Sequence, residues 1–376
     1  MLISVKDLLR LFGISIVCCC AVFVCTFMLN FYIDANSLSD IPAELQPLYE
    51  AQLLTAKFTS AISGGFLGVI AVVMLLFYIR LFISSHSVQL GILKARGYSN
   101  IKLALKFWVF GLSVFVGTAL GFILGFAFMP MIYEGLTVEG LPDIAINFHP
   151  SLLIALVLAP TVIYGALACL FAGISLRKSA GELMRGKSEN VKKVKDEKSK
   201  DRPFLKEMFF KSVSTKKLLT FFVTFGAFCF SAMVQMAFSM KELSADSFAE
   251  IILVIGLVLT VVVSFMSVTS LINANTENIS IMRALGYSLK ECVFAVLGGF
   301  IPFMLLGFAV GTVYQFGLLS LMVNLIFKDV EVVIEYTFDV PLMFITLVAF
   351  IVFFGGLILV YSFKMRKISV KQNVED

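Results

Sequence analysis

Charged residues are scarce in this sequence, where they make up 15% of the 376 positions, against about a quarter in a typical soluble domain. Apolar residues supply 59%, and the mean hydropathy is +0.97. These values exclude an ordinary soluble globular domain and favour a chain that lies in a lipid bilayer. The sequence also lacks the short alternating strands of a membrane barrel, so the spanning segments are predicted to be helices.

Eight apolar runs are long enough to be those helices, because about 20 residues at 1.5 Å each cross the hydrocarbon core. They cover residues 8–33, 57–84, 102–132, 151–175, 217–240, 248–273, 290–323 and 341–364. The first run follows Lys6 and Arg10, as in a signal peptide. It is longer than a signal peptide and has no small-residue cleavage site, so we expect it to remain as the first span.

Basic residues are nearly missing from every second loop. If the N-terminus lies inside, the outer loops contain only Lys57, Lys241 and Lys328, together with many acidic residues such as Asp34. All other Lys and Arg then fall on the inner side, as the positive-inside rule requires. The prediction is an all-α integral membrane protein with eight transmembrane helices and both termini in the cytoplasm. The net charge of +5 reflects inner loops near anionic lipid and does not indicate nucleic-acid binding.

Groups for catalysis or metal binding are also missing. The only two histidines, His86 and His149, fall on opposite sides of the predicted membrane, so they cannot share a metal ion. All seven cysteines lie in or beside predicted spans, which excludes an outer disulfide framework. No span centre carries a carboxylate or a lysine, which argues against an ion-driven carrier. We therefore expect a protein that is not an enzyme and binds no cofactor or metal itself.

One motif imitates a nucleotide site. Gly181–Ser188 satisfies the G-x-x-x-x-G-K-[S/T] pattern of a phosphate-binding loop. That loop must stand between a buried strand and a helix, with a carboxylate strand downstream for magnesium. Here a predicted span precedes the motif and a charged stretch follows it, so we interpret the match as a coincidence.

The sequence repeats itself. Residues 89–99 read QLGILKARGYS, and residues 278–288, which lie 189 positions later, read NISIMRALGYS. Both segments stand between two apolar runs, which predicts two pseudo-symmetric four-helix halves in a parallel repeat. The halves are residues 1–176 and 217–376, joined by a charged linker at 177–216. The linker has few apolar residues, so we expect a solvated tether, with a recognition tail for a partner or lipid as the alternative.

Glycines recur at every fourth position in the third and seventh runs. Such ridges allow two membrane helices to approach at backbone distance. We predict helix packing for Gly117, Gly121, Gly125, Gly307 and Gly311.

Each repeated segment is predicted to be a short helix on the inner surface that ends at a glycine. Gly97 and Gly286 suit a left-handed helix stop, and Ser99 and Ser288 suit the N-cap of the next helix. Ile92, with its apolar neighbours, would form one face, and the basic residues would be exposed. The segment could be a plain connector, but its recurrence with the same turn chemistry favours a docking surface.

The sequences ILKARGYS at 92–99 and IMRALGYS at 281–288 resemble the "GILRALG" signature of the FtsX/MacB-type (type VII) ABC transporter permease domain. That four-span domain has the signature after its second span. The resemblance implies that both segments are coupling helices that dock on a separate cytoplasmic ABC ATPase. Two ATPase copies would supply ATP and magnesium. The implied coupling residues are His86, Gln89, Ile92, Lys94, Ala95, Arg96, Gly97, Tyr98, Glu277, Asn278, Ile281, Arg283, Ala284, Leu285, Gly286 and Tyr287.

The resemblance further implies a permease subunit in a bacterial cytoplasmic membrane. Such a subunit couples ATP hydrolysis to export or extraction of an amphiphilic, peptide or lipid-like substrate by mechanotransmission. Many members carry a large outer domain, whereas the loops at 34–56 and 241–247 are short here. A separate extracytoplasmic adaptor or substrate-binding protein would then supply that part. The alternative is a signalling subunit that drives an outer partner such as a cell-wall hydrolase, and neighbouring genes would discriminate between the two.

Overall fold

The computed structural model describes residues 5–37, 41, 46–136, 144–184, 217–243, 246–288, 291–292, 294, 297–326 and 337–366. Within these residues all regular structure is helical and no β-strand occurs. This agrees with the predicted all-α class. The chain divides into two units, the first built mainly from residues 1–195 and the second mainly from residues 196–376.

The first unit contains eight helices among its described residues. They are α1 (Val5–Ala35), α2 (Gln46–Ser85), α3 (Ser87–Ala95), α4 (Asn100–Leu105), α5 (Val109–Leu136), α6 (Pro150–Leu153), α7 (Ala159–Ser175) and α8 (Ala180–Met184). A 3-10 turn, Lys106–Trp108, joins α4 to α5. A π-helical turn, Ile154–Leu158, joins α6 to α7 just before Pro160, which has no N–H to donate to the preceding turn.

The second unit contains four long helices whose bounds are described, besides the helical residues 291, 292 and 294. They are α9 (Lys217–Leu243), α10 (Asp246–Ala284), α11 (Ile301–Ile326) and α12 (Val340–Arg366). A 3-10 turn, Gly298–Phe300, leads directly into α11.

Seven helical segments in the described residues are long and apolar enough to cross a membrane. They are Phe12–Ala35, Tyr49–Ser84, Asn100–Glu134, Pro150–Ser175, Leu219–Ser239, Gly298–Asn324 and Val340–Val360. The count differs from the eight predicted runs because of the sixth run, 248–273. That run lies in α10, where a shorter apolar stretch, Gly256–Leu271, is found and several neighbouring side chains lie outside the described part.

Helix α1 forms the centre of the first unit. It packs most extensively on α5 and α2, and α7 in turn contacts both of these helices. The core includes a buried cluster of Val22, Phe122, Leu152 and Val157. The long helices of this unit therefore pack around α1.

Helix α5 lies on α1 at backbone distance. A Cβ atom built on Gly117 would lie under 3.0 Å from the carbonyl oxygen of Ser15, and one on Gly121 would come equally close to that of Cys19. Only glycine allows this approach, because any side chain would collide with main-chain atoms of the neighbouring helix. The contacts repeat at the four-residue spacing of the glycines, so they follow one face of α5.

The second unit uses the same device. A Cβ atom on Gly307 would lie under 3.0 Å from the Thr224 carbonyl oxygen, and one on Gly311 under 3.0 Å from that of Phe228. Helix α11 thus packs on α9 as α5 packs on α1. In the first unit Gly125 extends the ridge by one further turn against α1.

The glycine contacts generate a paired test on one helix. Gly307→Ala should destabilise the protein by about 1–3 kcal/mol, because the added methyl group overpacks a backbone contact. Gly317→Ala is the matched control, since no heavy atom lies within 4 Å of the position of its Cβ. Thermal unfolding in detergent should show a lower midpoint for Gly307→Ala than for Gly317→Ala. Equal midpoints would contradict the close approach of α11 to α9.

Candidate functional site

The two repeated segments end in the same backbone turn. Gly97 has a φ of +88° and Gly286 a φ of +92°, and these are the only positive φ values among the described residues. The N–H of Gly97 donates to the Lys94 carbonyl, and the N–H of Tyr98 donates to the Leu93 carbonyl. This pair of bonds is the Schellman arrangement, which satisfies carbonyls at a helix end.

The second copy has the same two bonds. The N–H of Gly286 donates to the Arg283 carbonyl, and that of Tyr287 donates to the Met282 carbonyl. The predicted left-handed helix stops are therefore confirmed in both halves. No heavy atom lies within 4 Å of a Cβ built on either glycine, so the backbone conformation alone requires glycine there.

A serine follows each turn and caps the next helix. The Ser99 side chain accepts a hydrogen bond from the Lys102 N–H at 3.3 Å. In the second copy, Ser288 and Glu291 form a reciprocal capping box. Hydrogen bonds from the N–H and hydroxyl of Ser288 lower the pKa of the exposed Glu291 carboxyl. The predicted N-caps are confirmed.

The predicted coupling residues of the first half lie together on α3 and its turn. His86 interrupts the helix between α2 and α3, with a φ of −110°. Its ring stacks on Phe82. Beyond it, six residues are exposed or half-exposed on one short element, namely Gln89, Ile92, Ala95, Arg96, Gly97 and Tyr98.

In the second half the equivalent segment is not a separate helix. Helix α10 continues without a break to Ala284, so Ile281, Arg283 and Ala284 form its last turn. Leu285, Gly286 and Tyr287 follow in the turn itself. The side chains of Glu277 and Asn278 lie outside the described part of the chain.

The buried face of α3 differs from the predicted one. Leu90 and Gly91 are buried, whereas Ile92 is 42% exposed. Gly91 lies against α8, where a Cβ would come within 3.0 Å of Met184. Close packing of α8 on this glycine turns Ile92 outward, so the expected apolar face was wrong.

Lys94 is not the exposed basic residue that we expected. Its Nζ donates to the Leu176 carbonyl at 2.9 Å and also to the Lys178 carbonyl. These carbonyls follow the last turn of α7, where a cation is favoured by the helix dipole. Lys94 therefore fastens α3 to the end of the fourth span.

The phosphate-loop motif contributes to this assembly as a helix. Its first four residues belong to α8. Ser179 and Glu182 form a capping box at the N-terminus of this helix, as Ser288 and Glu291 do in the second copy. Leu183 of α8 is buried. Part of the expected flexible linker is therefore a short packed helix, and 185–216 lie outside the described residues. The first four residues of the motif thus lie inside a helix rather than in a loop before one, which is where a phosphate-binding loop stands.

A buried carboxylate at the C-terminal end of α1 escaped the sequence analysis. Asp34, which we expected in an outer loop, is 3% exposed. Its Oδ2 accepts hydrogen bonds from the Asn30 amide at 2.7 Å and the Tyr133 hydroxyl at 3.0 Å. Its Oδ1 lies 2.8 Å from Nε2 of His149 and 3.3 Å from Nδ2 of Asn147. This cluster joins α1 to α5 and to the segment before α6, and the only sequence signal was Asn30, one turn before Asp34.

A buried amide network in the second unit was also missed. The Gln235 amide lies 3.0 Å from the Thr312 hydroxyl, 3.1 Å from that of Thr346 and 3.2 Å from that of Ser231. Both threonine hydroxyls donate to carbonyls of their own helices, so their lone pairs can accept from Gln235. The network connects α9, α11 and α12, and no spacing in the sequence indicates that these residues meet.

The comparisons with known proteins give one match. A family model described as "FtsX-like permease C-terminal" matches residues 61–180 and again residues 250–370. Each matched region contains one of the two glycine turns. No curated protein and no solved structure matches the chain.

Replacing the turn glycines should loosen both helix ends. Gly97→Ala or Gly286→Ala should cost about 1–2 kcal/mol, because an L side chain is disfavoured at positive φ. Hydrogen exchange at the Tyr98 or Tyr287 amide should then quicken by about five- to thirty-fold. Gly181→Ala on α8, where no neighbour lies within 4 Å of the Cβ position, is the control and should change neither rate. Unchanged exchange in the first two variants would contradict the turn assignment.

Lys187→Ala tests the phosphate-loop motif. We expect ATP binding by this chain to be absent before and after the substitution, because the motif begins in a helix rather than in a loop. Binding of a fluorescent ATP analogue to the isolated chain measures this. Clear binding that the substitution abolishes would restore the nucleotide-site interpretation.

Proposed function

The chain belongs to the FtsX-like permease family, whose members are membrane components of ABC transporters, and we propose that a separate ATPase docks on its two glycine turns and moves them as ATP is hydrolysed. The protein is a multi-pass membrane protein and an ABC transporter permease, and the family to which it belongs consists of non-enzymatic membrane components.

The proposed topology has eight spans with both termini in the cytoplasm, in halves 1–176 and 217–376. Helix α10 has 39 residues, or about 58 Å at the helical rise, which suffices to cross the bilayer even though its described apolar stretch is short. The distribution of Lys and Arg supports the inner placement of the glycine turns.

The proposed coupling surface is the exposed side of each turn. Ile92 and Ile281 occupy equivalent positions five residues before the glycine, and they are 42% and 54% exposed. Val88 and Tyr98 extend the first surface, and Leu285 extends the second. One observation carries the proposal: the same Schellman turn with the same outward isoleucine occurs in both halves, as two copies of one ATPase would require.

Movement of the first turn would pass directly into the spans. Lys94 fastens α3 to the end of α7, and the turn at Gly97 leads into a helical segment that continues from Asn100 to Glu134. Through Gly117 and Gly121 that segment rests on the backbone of α1. At the far end α1 and α5 meet again at Asp34 and Tyr133. We propose that a push at α3 therefore displaces α5 and α1 together.

ATP and magnesium would be bound by the ATPase, and this chain would bind no cofactor. The transmitted movement would serve export or extraction of an amphiphilic, peptide or lipid-like substrate in a bacterial cytoplasmic membrane. Because the outer loops are short, a separate adaptor or substrate-binding protein would supply any outer domain.

Introducing a negative charge into the apolar coupling surface tests whether the ATPase docks there. Ile92→Asp combined with Ile281→Asp should weaken ATPase association about ten-fold or more, because a buried carboxylate would replace an apolar anchor. Ile92→Val with Ile281→Val is the control that keeps the contact. Co-purification with the ATPase and ATP turnover of the complex are the readouts. Full association of the double Asp variant would refute the docking surface.

A further inference from the structure

The segment after the first glycine turn carries an exposed apolar strip. Ile101, Leu105, Trp108 and Leu112 are 72%, 60%, 45% and 57% exposed. They are spaced by four, three and four residues, so they share one face of the continuous helical segment that begins at Asn100. The opposite face, with Leu103, is buried against the protein.

A row of lysines runs beside this strip. Lys102 and Lys106 are exposed, and each follows a residue of the strip by one position, which places them about 100° around the helix. The Lys106 ammonium lies 5.6 Å from the centre of the Tyr98 ring. No acidic residue occurs anywhere from 87 to 108, so the segment has no carboxylate of its own to neutralise these charges.

The side chain of Trp108 packs on α7. The indole lies against Gly165, where a Cβ would come within 3.0 Å of the ring. One part of the ring is thus held by protein, and 45% of the residue remains exposed beside the lysines. A tryptophan that is apolar on one side and polar at its N–H suits the boundary between lipid tails and headgroups.

The length of the span supports the same position. Asn100–Glu134 has 35 residues, or about 52 Å at the helical rise, whereas the hydrocarbon core is about 30 Å thick. The ends of the segment must therefore reach the headgroup layers, and its first turns carry the lysines.

The second half lacks this combination. At the positions 189 residues later, Glu291 replaces Lys102, Ala295 replaces Lys106 and Leu297 replaces Trp108. Leu297 is buried, at 3% exposure. The shared permease core therefore does not need these residues, so they point to a separate role of the first half.

We propose that this face of the first half is a binding site for an anionic phospholipid of the inner leaflet. The phosphate contacts Lys102 and Lys106, and an acyl chain lies along Ile101, Leu105 and Trp108. A lipid fits better than an acidic protein, because the exposed apolar strip continues from the lysines into the span. The site rests on the proposed inner placement of this segment and is independent of any ATPase. It adjoins the turn at Gly97, so bound lipid would brace the base of α5.

Trp108 is the only tryptophan in the chain, so its fluorescence reports on this site alone. The full-length protein is reconstituted in vesicles that contain brominated phosphatidylglycerol or brominated phosphatidylcholine, and quenching is compared. We expect a preference for phosphatidylglycerol of about five-fold for each lysine at low salt, which decreases as salt is added.

Lys102→Gln combined with Lys106→Gln should bring the ratio of the two quenching constants close to one and leave quenching by phosphatidylcholine unchanged. Unchanged quenching by the neutral lipid also shows that the variant is folded. Lys217→Gln, which removes an exposed lysine at the start of α9, is the matched control and should keep the preference.

Equal quenching by the two lipids in the unmodified protein would overturn the site, as would a preference that survives the double substitution. If the unmodified protein shows no lipid preference and the double variant loses ATPase association, the partner is an acidic protein instead. No ATPase is present in the quenching measurement, so failure of the coupling proposal leaves its result intact.

Discussion

Backbone contact between α1 and α5 in the first half, and between α9 and α11 in the second, is the constraint on which the rest of the structure depends. In a bilayer the lipid tails are as apolar as the side chains, so helices associate through close packing rather than through expulsion of water. Gly117 and Gly121 meet the carbonyls of α1, and Gly307 and Gly311 meet those of α9. Each pair sets the separation and register of its helices. In the first half, α2 also packs on α1, and α7 packs on α5.

The end of the first half where α3 lies is also held by close helix packing. Gly91 brings α3 onto α8, and Lys94 holds α3 to the carbonyls after α7. A helix of nine residues would be marginal alone in water. It is held in place here because a glycine contact and a charge-assisted cap fix it to a span. Such an attachment would allow the short segment to transmit the movement that we propose.

The two halves share their helix ends and glycine ridges but differ in their interiors. Gly121 contacts Cys19, and its counterpart Gly311 contacts Phe228. Cys19 and Phe228 are therefore equivalent positions, and the two cores can be compared residue by residue. The amide network of the second half contains Ser231, Thr312 and Thr346, and the first half has Val22, Phe122 and Leu156 in their places. The first half instead collects its polar groups around Asp34. Hydrogen bonds in an apolar surrounding are costly to break, so each half is stabilised by its own buried hydrogen-bond network.

The sequence by itself determined the helical class, the repeat, the glycine turns and the serine caps, because these follow from local periodicity and backbone preference. Gly97 and Gly286 could be predicted since left-handed geometry is a property of one residue. Only the tertiary structure decided that Ile92 faces outward, that Lys94 caps α7 and that Asp34 is buried. Those outcomes depend on partners 82 to 115 positions away. No local pattern encodes such distant meetings, because they arise only when the helices pack.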